Sequence, residues 1–204
     1  MLNRLSRGIL WPTLSSCLRC TAATLVVGVA SISTGSPTSP YSPQQKTEVV
    51  ADFGTRVSRY LELRLREAGP PSKSSKSSQR LVEQQQQMAA KIQAARSGVK
   101  QGNIFSRAIV IYFRNQVKSS FRGPDGRNIR ATLEHSEPIP GLTLRVNDSY
   151  PPLPLQTMPA GLLQRLPLLP KELEYRIIGH DLVLHDIEPN IIVDFIPGVI
   201  PTRP

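Results

Sequence analysis

Apolar residues recur at three- and four-residue steps along the first two thirds of this chain and alternate in twos near its end. Val49, Val50, Phe53, Val57, Tyr60 and Leu61 make one stripe. That spacing predicts a helix over 47–68, with Thr47 as N-cap and Gly69-Pro70-Pro71 as its stop. Leu81, Met88, Ile92 and Ala95 predict a second helix over 79–97, in which the glutamines 84–87 form a polar face and Gly98 breaks the pattern. A third helix is predicted over 106–121, with Ser106 as N-cap and Ile109, Phe113, Val117 and Phe121 as its stripe. Gly123-Pro124-Asp125-Gly126 is a turn, after which the period changes. Residues 128–134 and 142–146 read as short strands around a turn at 138–141, and a short helix is predicted over 160–166, just after Pro159.

The alternation is cleanest at the C-terminal end. With Gly179-His180 as a two-residue hairpin loop, Ile178 faces Asp181, Ile177 faces Leu182, Arg176 faces Val183, Tyr175 faces Leu184 and Glu174 faces His185. One face is then Tyr175, Ile177, Leu182 and Leu184; the other carries Glu174, Arg176, Asp181 and an outward-pointing His185. A slip of one residue would mix the two faces, so loop length and side-chain pattern select the same register. A third strand follows over 190–196, and the helix at 160–166 is placed to cover the apolar face. The fold class expected is α+β: two or three N-terminal helices followed by a small antiparallel β-meander or hairpin module.

Composition divides the chain further. The 19 prolines and an aromatic content of 5% mean that part of it has too little apolar surface to fold. Residues 31–46 are Ser/Pro-rich and predict a disordered lead-in, 69–78 a flexible linker inside a helical region at 47–122, and 127–204 the β-rich module. Residues 1–30 have the layout of an export signal: Arg4, Arg7 and Arg19 without an acid, an apolar run of 11 residues from Cys20 to Ala30, and small residues at Gly28 and Ala30. Cleavage after Ala30 is the preferred reading. The competing reading is a lipoprotein box at Leu14-Ser15-Ser16-Cys17, which would leave the chain anchored through a lipidated Cys17. Cys17 and Cys20 form a C-x-x-C, but both lie in this segment and no second pair completes a metal site. The expected location is the periplasm or cell envelope.

Charge is unevenly spread: residues 31–130 hold 17 Lys/Arg against 6 Asp/Glu, whereas 131–204 hold 5 against 9. Such a field attracts anionic surfaces. Its sharpest feature is on the third helix, where Arg107, Arg114, Lys118 and Arg122 fall within an arc of about 80° beside the apolar stripe. These four are the candidate contacts for an anion or partner; the alternative is a solvated face. Nucleic acid is disfavoured, because aromatic platforms are lacking and export argues against it.

Catalytic and metal chemistry find little footing. No G-x-S-x-G elbow, phosphate-binding loop or dinucleotide fingerprint is present, and Glu134-His135 has no nucleophile placed beside it. His180 with Asp181, and less well Asp186, could make a weak surface metal site, but an ordinary hairpin surface accounts for them better. The expectation is therefore no catalytic residue, no metal and no cofactor.

Residues 166–196 (LPLLPKELEYRIIGHDLVLHDIEPNIIVDFI) carry a proline-rich approach, Tyr-Arg, a glycine-centred turn, an apolar strand ending in Asp, and an Ile-Val-Asp run. Through Tyr175, Gly179, Asp186, Ile192 and Val193 this stretch resembles the C-terminal module of small exported bacterial proteins. Among them are a family of unknown function and the periplasmic nickel/cobalt-homeostasis family. The resemblance implies export and a small β-module and transfers no catalytic residue. The leading functional expectation is a non-enzymatic envelope protein that binds another envelope protein or an anionic lipid surface. The alternatives are a periplasmic metal-homeostasis accessory and an enzyme of unfamiliar type.

Overall fold

The first helix among the described residues begins earlier than its apolar stripe requires. In the computed structural model, which describes residues 41–69, 78–134, 142–152 and 158–201, α1 spans Pro43–Ala68. Ser42, not Thr47, caps it: its hydroxyl accepts from Gln45 N–H, the Gln45 side chain accepts from Ser42 N–H, and Pro43 occupies the first turn. Helix α2 covers Ser78–Ala95 and α3 covers Arg107–Arg122, with Ser106 at the N-cap position. The buried stripe of α2 is Met88, Ala89 and Ile92, whereas Leu81 and Ala95 are exposed, contrary to the expected face.

Two expected strands are absent from the observed structure. Residues 128–134 belong to a helix, α4 at Gly126–Glu134, because Ile129 and Leu133 recur at a four-residue step and turn onto the core together. Gly126 admits no other residue here, since an added Cβ would collide with the Phe121 carbonyl of the preceding helix. Residues 142–146 form no strand; the chain there covers the sheet, and an isolated bridge joins Ser149 to Ile191. The turn expected at 138–141 lies outside the described residues. Helix α5 is shorter than expected, Ala160–Leu163, and buries Leu162.

The sheet has the expected order. Strands β1 (Leu173–Ile178), β2 (Asp181–Asp186) and β3 (Ile191–Ile196) form an antiparallel meander, and the β1–β2 register is the one that pattern and loop length select, from Ile178↔Asp181 to Glu174↔His185. Gly179 takes a positive φ of 58° in the loop. Between β2 and β3 the register shifts: Leu184 pairs with Asp194 while His185 pairs with Ile192. This bulge puts two consecutive residues, Val193 and Asp194, on the face of Leu184.

Helices and sheet share one core. The face of Tyr175, Ile177, Leu182 and Leu184 packs with Phe53, Val57, Tyr60, Ile92, Ile109, Phe113 and Leu162. Phe113 stands at its centre, with ring centroids 5.2 Å from Phe53 and Phe105 and 5.9 Å from Tyr175. The opposite face of the sheet is covered as well: Ile178, Val183, Ile192 and Phe195 pack with Tyr150, Leu144 and Val146. The chain is α+β, with helices first and an antiparallel sheet after them.

Candidate functional site

Burying the stripe of α3 forces its other side outward. Ile109, Phe113, Val117 and Phe121 enter the core, and Arg107, Arg114, Lys118 and Arg122 are all exposed. The helix contains no acidic residue. Among the described residues none of the four cations makes an ion pair; the Arg114 guanidinium donates to the Pro197 carbonyl at 3.0 Å, which leaves its charge uncompensated. Ile111, 46% exposed, projects within the same arc, between Lys118 and Arg122 on a helical projection. The face is thus a cationic strip about 22 Å long with an apolar residue inside it.

A second constellation lies where the helices meet the sheet, and sequence reasoning missed it. Asp186, 0% exposed, accepts from the Tyr60 hydroxyl at 2.6 Å and from Arg64 Nε at 2.8 Å, both at Oδ2. Arg64 also reaches Glu188 at 2.7 Å. The guanidinium of Arg96 lies over the Tyr60 ring at 4.8 Å and donates to the Val193 carbonyl at 2.9 Å. Asp194, likewise 0% exposed, accepts backbone N–H groups from Gly102, Ile104, Phe105 and Phe195 at 2.8 to 3.1 Å.

Electrostatics follow from burial. Removal from water raises the Asp186 carboxyl above its ordinary range, against the Tyr60 hydrogen bond and the Arg64 charge. Burial, with the Asp186 carboxylate next to it, pushes the Tyr60 hydroxyl far up, so that Tyr60 remains a donor. Burial lowers Arg96 from its usual value, although Tyr60, Asp194 and Asp186 oppose the shift. Asp186 Oδ1 and Arg96 Nη1 have no hydrogen-bond partner among the described residues. The cluster ties α1, α2 and the α2–α3 loop to the sheet.

The histidines and carboxylates considered for metal binding are not drawn together. His185 does face Glu174, as the register requires, but it does not point outward. It is 6% exposed beneath Tyr150, with Nδ1 2.9 Å from Glu174 and Nε2 3.0 Å from Asn190. Tyr150, just beyond the residues 142–146 expected as a strand, is what covers it, with ring centroids 4.5 Å apart. Asp186 points to the helices, His180 is exposed in the loop, and His135 lies outside the described residues. Among the described residues no three His, Cys, Asp or Glu side chains converge. A groove of about 320 Å³ runs beside β1, lined by Leu163, Leu168, Tyr175 and Arg176 among others. Among the described residues no helix is long and apolar enough to cross a membrane.

The signal for the buried cluster was present in the helical step. Arg64 continues the stripe Phe53, Val57, Tyr60, and Arg96 continues Met88, Ile92. Comparison with protein-family models, with curated proteins and with solved structures finds no match to this chain.

Proposed function

We propose that this protein is an exported, non-enzymatic binding module that docks through α3 on an anionic lipid surface. The observation that carries the reading is the outer face of α3: four exposed cations, no acid on the helix, and Ile111 among them. Each Lys or Arg brought to an anionic headgroup layer contributes about 1 kcal/mol, so four acting together give about 4 kcal/mol at low salt. Ile111 gives the strip an apolar foothold below headgroup level, which a purely solvated charged face would not need. Export is the reading of the leader, apolar run and small-residue site within residues 1–30.

Two measurements test it. Intact-mass analysis of the envelope fraction is expected to find a chain beginning near Ser31; a full-length cytosolic chain would contradict export. Co-sedimentation with vesicles containing a third phosphatidylglycerol is expected to show binding that falls steeply with salt and is absent on neutral phosphatidylcholine. Equal binding to both vesicle types, or none to either, would sink the lipid reading.

A further inference from the structure

The face of the sheet turned away from the helices is covered by residues 144–150, and main-chain bonds pin that cover to β3 and the turn before it. Asn147 N–H donates to Ile192 O, Ile192 N–H to Asp148 O and Tyr150 N–H to Asn190 O, at 2.8 to 2.9 Å. Val183, Ile192 and Phe195 lie beneath. Among the described residues, His185 is the one buried ionisable side chain that the sheet holds on this face, since Asp186 and Asp194 are turned to the other side.

The two nitrogens of its ring meet different oxygens. Nδ1 lies 2.9 Å from Glu174 Oε1, which also accepts from Arg176 Nε at 2.6 Å. Nε2 lies 3.0 Å from Asn190 Oδ1. The other end of the Asn190 amide fixes its orientation, because Nδ2 donates to the Tyr150 carbonyl at 3.3 Å. Turned over, the amide would set oxygen against oxygen there. Both ring nitrogens thus face atoms that only accept, and the imidazolium alone has an N–H for each. The Tyr150 ring packs on the imidazole at 4.5 Å between centroids, a placement that suits a cation. The charged groups around the ring are Glu174 and Arg176 on β1 and, next along β2 but on the other face, Asp186. The cover brings Tyr150, the β2–β3 turn Asn190 and β3 Ile192, none of them charged.

We propose that His185 is a proton-operated clasp on the cover: the imidazolium holds residues 144–150 closed over the sheet, and loss of its Nε2 proton loosens them at Tyr150. The proton that leaves to solvent is the one on Nε2, because the one on Nδ1 faces a carboxylate. Its departure leaves a lone pair against Asn190 Oδ1, and two acceptors repel. Asn190 regains a bond to the ring only by turning its amide so that Nδ2 donates to Nε2, which withdraws that donor from the Tyr150 carbonyl. The bonds of Asn147 and Asp148 to Ile192 do not pass through this amide, so opening starts at Tyr150 and uncovers His185 first. The closed form holds one proton more than the open one, so acid favours closure and rising pH favours opening.

Nuclear magnetic resonance on the full chain tests this. At about pH 5 both ring nitrogens of His185 are expected to carry protons. The protection of the Tyr150 amide, corrected for the pH dependence of intrinsic exchange and taken relative to the core amide of Phe113, should fall about tenfold from about pH 5 to about pH 8. Asn190→Gly keeps the positive φ of 54° and the main-chain bonds but removes the amide side chain, and should abolish that fall. Asp186→Asn, which acts on the other face, should leave it in place. A neutral ring at about pH 5, a protection ratio in the natural chain that ignores pH, or a fall that persists in Asn190→Gly would each overturn the proposal.

Discussion

Charge is handled in opposite ways at the seam between helices and sheet and on the outer face of α3. At the seam nearly every charge is matched: Asp194 is enclosed by four N–H groups, and Arg64 is held between Asp186 and Glu188. On α3 the cations stand in solvent, and among the described residues no acid pairs with them. A buried charge must be paired where it stands, because water is not there to solvate it, and it thereby fixes the fold. An exposed charge adds little to the fold and remains free to meet a partner. The contrast predicts that substitutions at the seam damage stability, whereas substitutions on α3 damage binding alone.

The largest effect is expected at Asp194. Replacing it with Ala leaves the N–H groups of Gly102, Ile104 and Phe105 without their acceptor and should cost about 4 kcal/mol in urea unfolding. Loss below about 1 kcal/mol would show that this loop does not depend on the carboxylate. Next comes Arg64→Ala, which strands the Asp186 carboxylate and should cost about 3 kcal/mol by the same measurement.

Asp186 sharpens the comparison through pH. Because its folded-state pKa is raised, folding favours the protonated carboxyl. Its contribution is therefore fully present below the ordinary aspartate pKa and is lost as pH rises through the raised value. Asp186→Asn removes this dependence. The stability of the natural chain relative to Asp186→Asn should therefore increase on going from pH 7.5 to pH 4 in paired unfolding curves. A gap that narrows on acidification would mean that Arg64 and Tyr60 outweigh burial. The smallest effect on stability belongs to α3: Lys118→Ala should change unfolding by less than about 0.5 kcal/mol, and a larger loss would show that the strip supports the fold.

The hairpin was legible because two independent signals agreed: the alternation of Tyr175, Ile177, Leu182 and Leu184, and a two-residue glycine-containing loop. The stripe of α3 was legible from its unbroken four-residue step. Helix α4 was misread because Ile129, Ala131 and Leu133 also alternate in twos, so that over seven residues the strand and helix periods overlap. Asp194 was hidden for another reason. In a regular strand it would share a face with Ile192 and Ile196, and only the bulge, a tertiary event, turns it with Val193 towards the helices. Arg64 and Arg96 were passed over because arginine ordinarily marks the end of an apolar stripe, whereas here each finds a buried partner.

The most direct test of the account is vesicle binding by the chain in which Arg107, Arg114, Lys118 and Arg122 are all replaced by Gln, set beside its unfolding curve. The account predicts an unfolding midpoint close to that of the natural chain together with loss of binding to phosphatidylglycerol vesicles at low salt. Undiminished binding by a folded quadruple variant would contradict it.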